Sequence, residues 1–254
     1  MNKSVNLYFD KSTAYQDKIK AIRDAGFDEF YLGIAETKGD LTLRDLIDYA
    51  KSLGLSCTMV HCAYGDNVGY FWQEGAEGDL VCEDYIQQIK QCAGLTSNFV
   101  VHLNNRTDEI QSEVGLVRLR KMLVVCEQCN INLCVENLCS ETEIPYIFEH
   151  IKHDKLKICF DSGHQNFITP NLDVLGKFGE FVTVLHLHDN HGSSDEHSVC
   201  GQGTIDWSVV AQGLKKLPNI VLSAEVKYNG EIANQTYLSS VLNGLCMVEK
   251  LIKN

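Results

Sequence analysis

Long apolar runs are missing from this 254-residue chain. None approaches the ~18–20 consecutive residues that span a bilayer, so no membrane partner is expected. The opening MNKSVNLYFDKST has no signal-peptide core and passes straight into strand-like sequence, which gives the expectation of a cytosolic protein. Proline is scarce, with three in all, and no Pro- or Ser-rich linker interrupts the chain. One domain over residues 1–254 is therefore expected. Basic residues are also short: 22 Lys and Arg stand against 34 Asp and Glu, a formal charge of −12. Such a surface repels phosphate backbones and argues against a nucleic-acid partner. The segment after the first strand-like run, DKSTAYQ at 10–16, has no glycine, which argues against a dinucleotide-binding loop. Cysteine is not scarce. There are eleven, an odd number, and most lie in apolar stretches. Cys57, Cys134 and Cys159 read as buried, reduced thiols. Cys126 and Cys129 have CxxC spacing, but no second pair follows at zinc-ribbon distance.

What is present is a regular alternation. Nearly continuous apolar runs rich in Val, Ile, Phe and Tyr fall at 5–9, 29–34, 56–61, 99–103, 131–136, 157–161, 183–188 and 220–226. Strands buried on both faces have this composition. Helical periodicity lies between them, at 14–25, 42–53 and about 80–94, 110–129, 141–152, 171–178, 206–216 and 231–252. Thr13 with Gln16 predicts a capping box for the first helix, and Gly26 its left-handed end. Eight strands alternating with eight helices is the arithmetic of a single-domain α/β (β/α)₈ TIM barrel. The longest irregular stretch, GYFWQEGAEGD at 69–79, is expected to form a lid. Phe71 and Trp72 are its candidates to close over a ligand or to pack between subunits of a homo-oligomer.

The strand ends carry the chemistry. CVEN, CFDSGH, VLHLHD and SAEVKY put Glu136, Asp161, His186 or His188, and Glu225 at the carboxyl ends of four runs. That is the face where barrel enzymes build active sites. Side chains alternate along a strand, so Glu136 shares a face with Cys134, Asp161 with Cys159, and Glu225 with Ser223. Each carboxylate is the last member of its face. Alternation cannot choose between His186 and His188. Taken alone, Asp161 reads as a helix cap and Glu225 as an ion pair with Lys227. Together, three buried carboxylates on one face cost several kcal/mol per charge unless a cation joins them. One divalent metal held by Glu136, Asp161, His186 and Glu225 resolves the conflict. His61, His102, His164, Asp195 and His197 add imidazoles and a carboxylate for substrate or additional metal. The mixture suits Zn, Mn, Co or Fe, with one ion expected and up to three accommodated.

The order His61, His102, Glu136, DxxH at 161–164, HLHD at 186–189, DEH at 195–197 with its GQGTIDW turn, and Glu225 resembles the xylose isomerase-like barrel superfamily. That group includes sugar and sugar-phosphate isomerases and epimerases and the endonuclease IV family of apurinic-site nucleases. The match covers residues 57–228 well and the first two strands only generically. It implies that Glu136, Asp161, His186 and Glu225 are the shared metal quartet, with HLHD in the place of HLxD selecting His186. It further implies that Glu136 and Glu225 are catalytic, exchanging protons with sugar carbons.

The chemistry is physically coherent: a proton taken from next to a carbonyl leaves an enediolate, which a metal can stabilise. The expected function is thus a metal-dependent sugar or sugar-phosphate isomerase or epimerase acting on a small sugar or keto-sugar. Lys227 and Arg106 are candidates to hold an anionic group of the substrate. One alternative is a keto-sugar or inosose dehydratase. Another is a nuclease with three zinc ions, for which the nine side chains and Tyr64 occur in matching order. Against the nuclease, the segment after the third strand carries four acidic residues and no basic one.

Overall fold

Each apolar run becomes a parallel strand, and the strands close on themselves. The computed structural model describes residues 1–36, 41–105, 110–230 and 233–254. Its strands are β1 (Lys3–Asn6), β2 (Glu29–Gly33), β3 (Ser56–His61), β4 (Asn98–Val101), β5 (Asn132–Glu136), β6 (Leu156–Asp161), β7 (Val182–His186) and β8 (Leu222–Ala224). They pair in the order β7-β6-β5-β4-β3-β2-β1-β8. The seam between β7 and β8 is a single parallel bridge, Leu187 to Ala224. There the Leu187 amide donates to the Ser223 carbonyl at 2.8 Å and the Glu225 amide to the Leu187 carbonyl at 3.1 Å. The result is the expected (β/α)₈ barrel, with helices on the outside as parallel crossovers require.

Nine α-helices lie among the described residues: α1 (Tyr15–Ala25), α2 (Leu43–Ser52), α3 (Ala76–Gln91), α4 (Glu113–Cys129), α5 (Glu143–His150), α6 (Ser162–Phe167), α7 (Val174–Phe178), α8 (Trp207–Leu214) and α9 (Asn234–Lys253). The outer strand faces and the helices form the large core, including Leu46, Ile47, Phe99, Leu119, Ile158 and Leu238. A second, smaller core fills the barrel itself with Tyr31, Met59, Val100, Cys134, Cys159 and Val184. Cys134 and Cys159 therefore point inward, as strand alternation requires if Glu136 and Asp161 are to cap that interior. All eleven cysteines are free. Cys126 and Cys129 sit in the last turn of α4, and no group of potential metal ligands among the described residues includes either.

Several local expectations need correction. The capping box at Thr13 and Gln16 does not form. Helix α1 starts after Ala14 with no side-chain cap, because the Thr13 hydroxyl donates to Asp10 instead. The reciprocal box belongs to α2, where Thr42 and Asp45 cap each other. Gly26 does end α1 in the left-handed region, at φ 95°. The expected lid is pinned down. Residues 66–70 form a 3₁₀ turn, and Phe71 and Trp72 are fully buried in the outer core. The Trp72 indole N–H donates to Glu143 at 2.9 Å. These two rings are packing residues, neither ligand-closing nor available to a subunit interface. No helix is long and apolar enough to cross a membrane, among the described residues.

Candidate metal centre and active site

Strand ends bring the four expected ligands together. Glu136 ends β5, Asp161 ends β6, His186 ends β7, and Glu225 directly follows β8. One donor atom from each lies within 4.8 Å of every other. His186 Nδ1 is 3.3 Å from Glu136 Oε1, 3.1 Å from Glu225 Oε2 and 4.0 Å from Asp161 Oδ2. His186 and Asp161 are wholly buried and Glu136 nearly so. Asp161 does two jobs that the sequence presented as alternatives. Its Oδ1 caps α6 by accepting from the His164 amide at 2.6 Å. Its Oδ2 lies 3.0 Å from His188 Nε2.

Two further groups flank this quartet. His61, at the end of β3, and His102, just past β4, meet Glu136. Their Nε2 atoms are 3.2 Å apart, and His102 Nε2 is 3.0 Å from Glu136 Oε2. On the other side, His164, His188, Asp195 and His197 form a set. His197 Nε2 lies 2.9 Å from Asp195 Oδ2, and its Nδ1 is 2.9 Å from the Glu225 carbonyl. The His188 and His197 rings stack at 4.1 Å. His197 sits at φ 51°, a left-handed backbone that costs a non-glycine residue of order 1 kcal/mol. The contacts of both ring nitrogens hold it there. Glu136 thus joins the quartet to the group of His61 and His102, and Asp161 touches His188 of the group on the other side.

Charges at the site are strongly coupled. Burial, the largest single influence, pushes the Glu136 and Glu225 carboxyls up. The imidazoles together outweigh it, His186 first for both, with His102 and His164 beside Glu136 and His197 beside Glu225, and hold them below the ordinary carboxylate range. Burial alone would depress His164 and His197. The carboxylates win instead, Asp161 first for His164 and Asp195 first for His197, raising His197 to about 9. His102 goes the other way, because its burial outweighs Glu136.

The residues fit a divalent cation on their own geometry. Both ring nitrogens of His186 are buried without an aligned hydrogen-bond partner, as are His164 Nδ1, His102 Nδ1 and His188 Nδ1. Buried polar atoms in proteins are nearly always paired. His186 Nδ1 and His164 Nδ1 are each crowded by carboxylates at 3–4 Å yet aligned with none, as atoms aimed at a cation would be. Nitrogen and oxygen donors together suit zinc, manganese, cobalt or iron.

Above the centre opens a cavity of about 320 Å³, lined by residues that include Tyr8, Cys62, Tyr64, His102, Glu136, His164, Asp195, His197 and Glu225. No lysine or arginine lines it among the described residues. Lys227, expected as an anion contact, is exposed and outside this lining. Arg106 lies outside the described residues. Three residues escaped the sequence reading. Asn137 braces Asp161, Tyr8 lines the mouth, and Tyr31 lies beneath His186 at 5.3 Å between ring centroids. An aromatic within an apolar run such as 29–34 reads as core, so nothing in the sequence singled out Tyr31. Asp189 of HLHD is structural: it accepts from the Gly201 amide at 2.9 Å and the Trp207 indole at 2.8 Å, fixing the GQGTIDW turn.

Comparison with known proteins agrees with this architecture. A family model described as a xylose isomerase-like TIM barrel matches residues 19–241. The uncharacterised protein y4fM of Sinorhizobium fredii is 30% identical over 96 residues, and the match spans only 31% of it. The uncharacterised protein MJ1614 of Methanocaldococcus jannaschii is 30% identical over 184 residues, 67% of this chain and 70% of that one. A probable endonuclease 4 of Mycoplasmopsis synoviae is 25% identical over 205 residues, 71% of this chain and 73% of that one. Among solved structures, D-psicose 3-epimerase with D-tagatose from Clostridium cellulolyticum H10 superposes with a TM-score of 0.78 at 16% identity, covering 99% of each chain. The IOLI protein with a bound zinc atom superposes with a TM-score of 0.79 at 16% identity, covering 98% of each. At these identities the structural likeness is one of fold. The matched span and the closed parallel barrel together place the chain in the xylose isomerase-like TIM-barrel family.

Proposed function

We propose that the protein is a metal-dependent sugar isomerase or epimerase in which Glu136 and Glu225 move a proton next to a carbonyl. The observation that carries this is the convergence of both glutamates on His186 Nδ1, at 3.3 and 3.1 Å, under a cavity lined, among the described residues, by neither lysine nor arginine. A pocket of that character suits a neutral polyhydroxyl better than a phosphorylated one. Glu136, Asp161, His186 and Glu225 would hold the cation. When bound, it supplies Lewis-acid stabilisation of the negative charge that appears on the sugar oxygens as the proton leaves. The rest is done by side chains. One glutamate takes the proton from carbon, and its partner, taking up a proton from solvent, delivers one. Delivery to the opposite face inverts the centre; return by the same carboxylate to the neighbouring carbon converts aldose and ketose. His164 is placed to hydrogen-bond a substrate hydroxyl.

General acid–base catalysis is worth about 10²–10⁴-fold, which sets the scale of the test. Metal-loaded protein should wash deuterium from D₂O into a keto-hexose or keto-pentose, and Glu225→Gln should lose at least about 100-fold of that rate while remaining folded. Undiminished exchange in the variant defeats the two-glutamate mechanism.

A second reading has its own support. Counting Glu136, Asp161, Asp195 and Glu225, the three groups carry four carboxylates. With one divalent ion the carboxylates outnumber the metal charge and the raised imidazoles of His164 and His197 only balance them, which leaves no excess positive charge for a phosphate and favours a neutral substrate. With three ions the metal charge exceeds that of the carboxylates, which attracts phosphate. The second case describes a phosphodiesterase of the apurinic-site nuclease kind, and one curated relative is a probable endonuclease 4. Elemental analysis separates the two. About one metal per chain agrees with the isomerase, whereas three, with cleavage of an abasic duplex, establishes the nuclease.

A further inference from the structure

Tyr31 belongs to none of the ligand groups, yet it packs directly against one of their members. It projects from β2 into the barrel and is fully buried. Its ring lies nearly parallel to the His186 imidazole, with centroids 5.3 Å apart and 17° between planes. It also meets Tyr8, which lines the cavity, edge-on at 6.1 Å. Ring packing alone would be served by phenylalanine, and the hydroxyl has no partner. An unpaired buried hydroxyl costs about 1–3 kcal/mol.

The hydroxyl is not alone. Asn6 Oδ1 and Ser223 Oγ are likewise buried without partners. Asn6 is the register partner of Tyr31, and Ser223 and Ala224 pair with Ser4 and Val5. One step further along that register sets Glu225 level with Asn6. Strands β8, β1 and β2 thus carry Glu225, Asn6 and Tyr31 in one row of the barrel interior. The phenol carries one O–H donor. It is therefore a hydrogen-bond donor set among acceptors.

We propose that Tyr31 is a positioning residue for the centre: its ring fixes the plane in which His186 presents Nδ1, and its hydroxyl, unpaired here, is the donor available to the row of Asn6 and Glu225 when a cation is bound. This rests on the reading that the quartet holds a cation. Groups that orient metal ligands without touching the metal commonly change affinity by about 10–100-fold when removed.

Cobalt(II) titration of the whole chain, followed by its visible spectrum, tests the idea without any substrate. Tyr31→Leu removes ring and hydroxyl, and should weaken cobalt binding by about 10–100-fold and alter the spectrum. Tyr31→Phe keeps the ring, so the spectrum should persist while affinity falls about 3–10-fold, the worth of one net hydrogen bond. A Tyr31→Phe protein with wild-type affinity, or a Tyr31→Leu protein with the wild-type spectrum, overturns the proposal. Because Tyr31→Phe preserves the packing, it decides the matter even where Tyr31→Leu fails to fold. Wild-type protein that takes up no cobalt defeats the metal reading instead, a different outcome from either.

Discussion

Asn137 and Asp161 grip each other by two buried hydrogen bonds. The Asn137 amide group donates to the Asp161 carbonyl at 2.9 Å, and the Asp161 backbone N–H donates to Asn137 Oδ1 at 2.8 Å. Asn137 immediately follows Glu136, so the clasp ties the ends of β5 and β6 at the two positions that present carboxylates. Replacing it leaves a buried N–H and a carbonyl unpaired. Asn137→Ala should therefore cost about 1–3 kcal/mol in urea denaturation. It should also weaken cation binding by about tenfold, measured by competition with a chromophoric chelator. Wild-type metal affinity in a destabilised variant would make the clasp purely structural.

The pH dependence of the metal-free protein follows from the opposed shifts at the centre. His164 is raised well above its ordinary 6.5 and His197 to about 9. A group whose folded pKa is raised stabilises fully below its unfolded pKa, and that contribution disappears as pH rises through the folded value. Glu136 and Glu225 are lowered from an ordinary 4.5. Their contribution is fully present above that value and is lost as pH falls through the lowered one. For these groups the metal-free protein is steadiest between 4.5 and 6.5 and weakens toward 9. A cation takes the place of the imidazole protons. The gain in melting temperature from metal over chelator should consequently widen from pH 6.5 to 9. Parallel curves with and without chelator across that range would contradict the coupling.

Gly163 offers a way to disturb the group that contains His188 without touching His61 and His102. A Cβ there would collide with the His188 ring, which is wholly buried against Asp161. Gly163→Ala should displace that ring at a cost of about 1–3 kcal/mol. The group of His164, His188, Asp195 and His197 then loses a member, while His61, His102 and Glu136 keep theirs. In a one-metal isomerase the metal count should stay near one. In a three-metal enzyme it should drop below three by elemental analysis.

How far the sequence foretold this site depends on the kind of information each residue carries. Glu136, Asp161 and His186 end strands whose inward parity can be read two residues at a time, and the apolar runs located those strands within a residue or two. His188 could not be separated from His186 by alternation because both share a face. The distinction arises where β7 ends at His186 and the chain bridges to β8 at Leu187, which is tertiary information. The lid at 69–79 was misread for a similar reason. Its glycines and acidic residues look like a loop, and what holds Phe71 and Trp72 in place is an arginine 47 positions after Phe71. Asn137 and Tyr31 act through neighbouring strands, so nothing local marks them.

That arginine is Arg118 of α4, its side chain 2% exposed. It donates to the carbonyls of Phe71 at 2.7 Å, Gln73 at 2.6 Å and Gly75 at 3.1 Å, and to Asp79 at 3.0 Å. Gly78 is required beside it, since a Cβ would collide with the guanidinium. One side chain thus satisfies a whole turn of backbone that would otherwise be buried without donors. Lysine keeps the charge but cannot reproduce the fork of five N–H groups. Both Arg118→Lys and Arg118→Met should free the 66–75 segment, with a loss of at least about 3 kcal/mol for Met. Limited proteolysis should cut first within that segment, and the Tyr64 ring, 4.4 Å from His102 at the cavity wall, should lose its fixed place. Cleavage elsewhere first, with 66–75 still protected, would show that Trp72 packing and its bond to Glu143 hold the segment without the arginine.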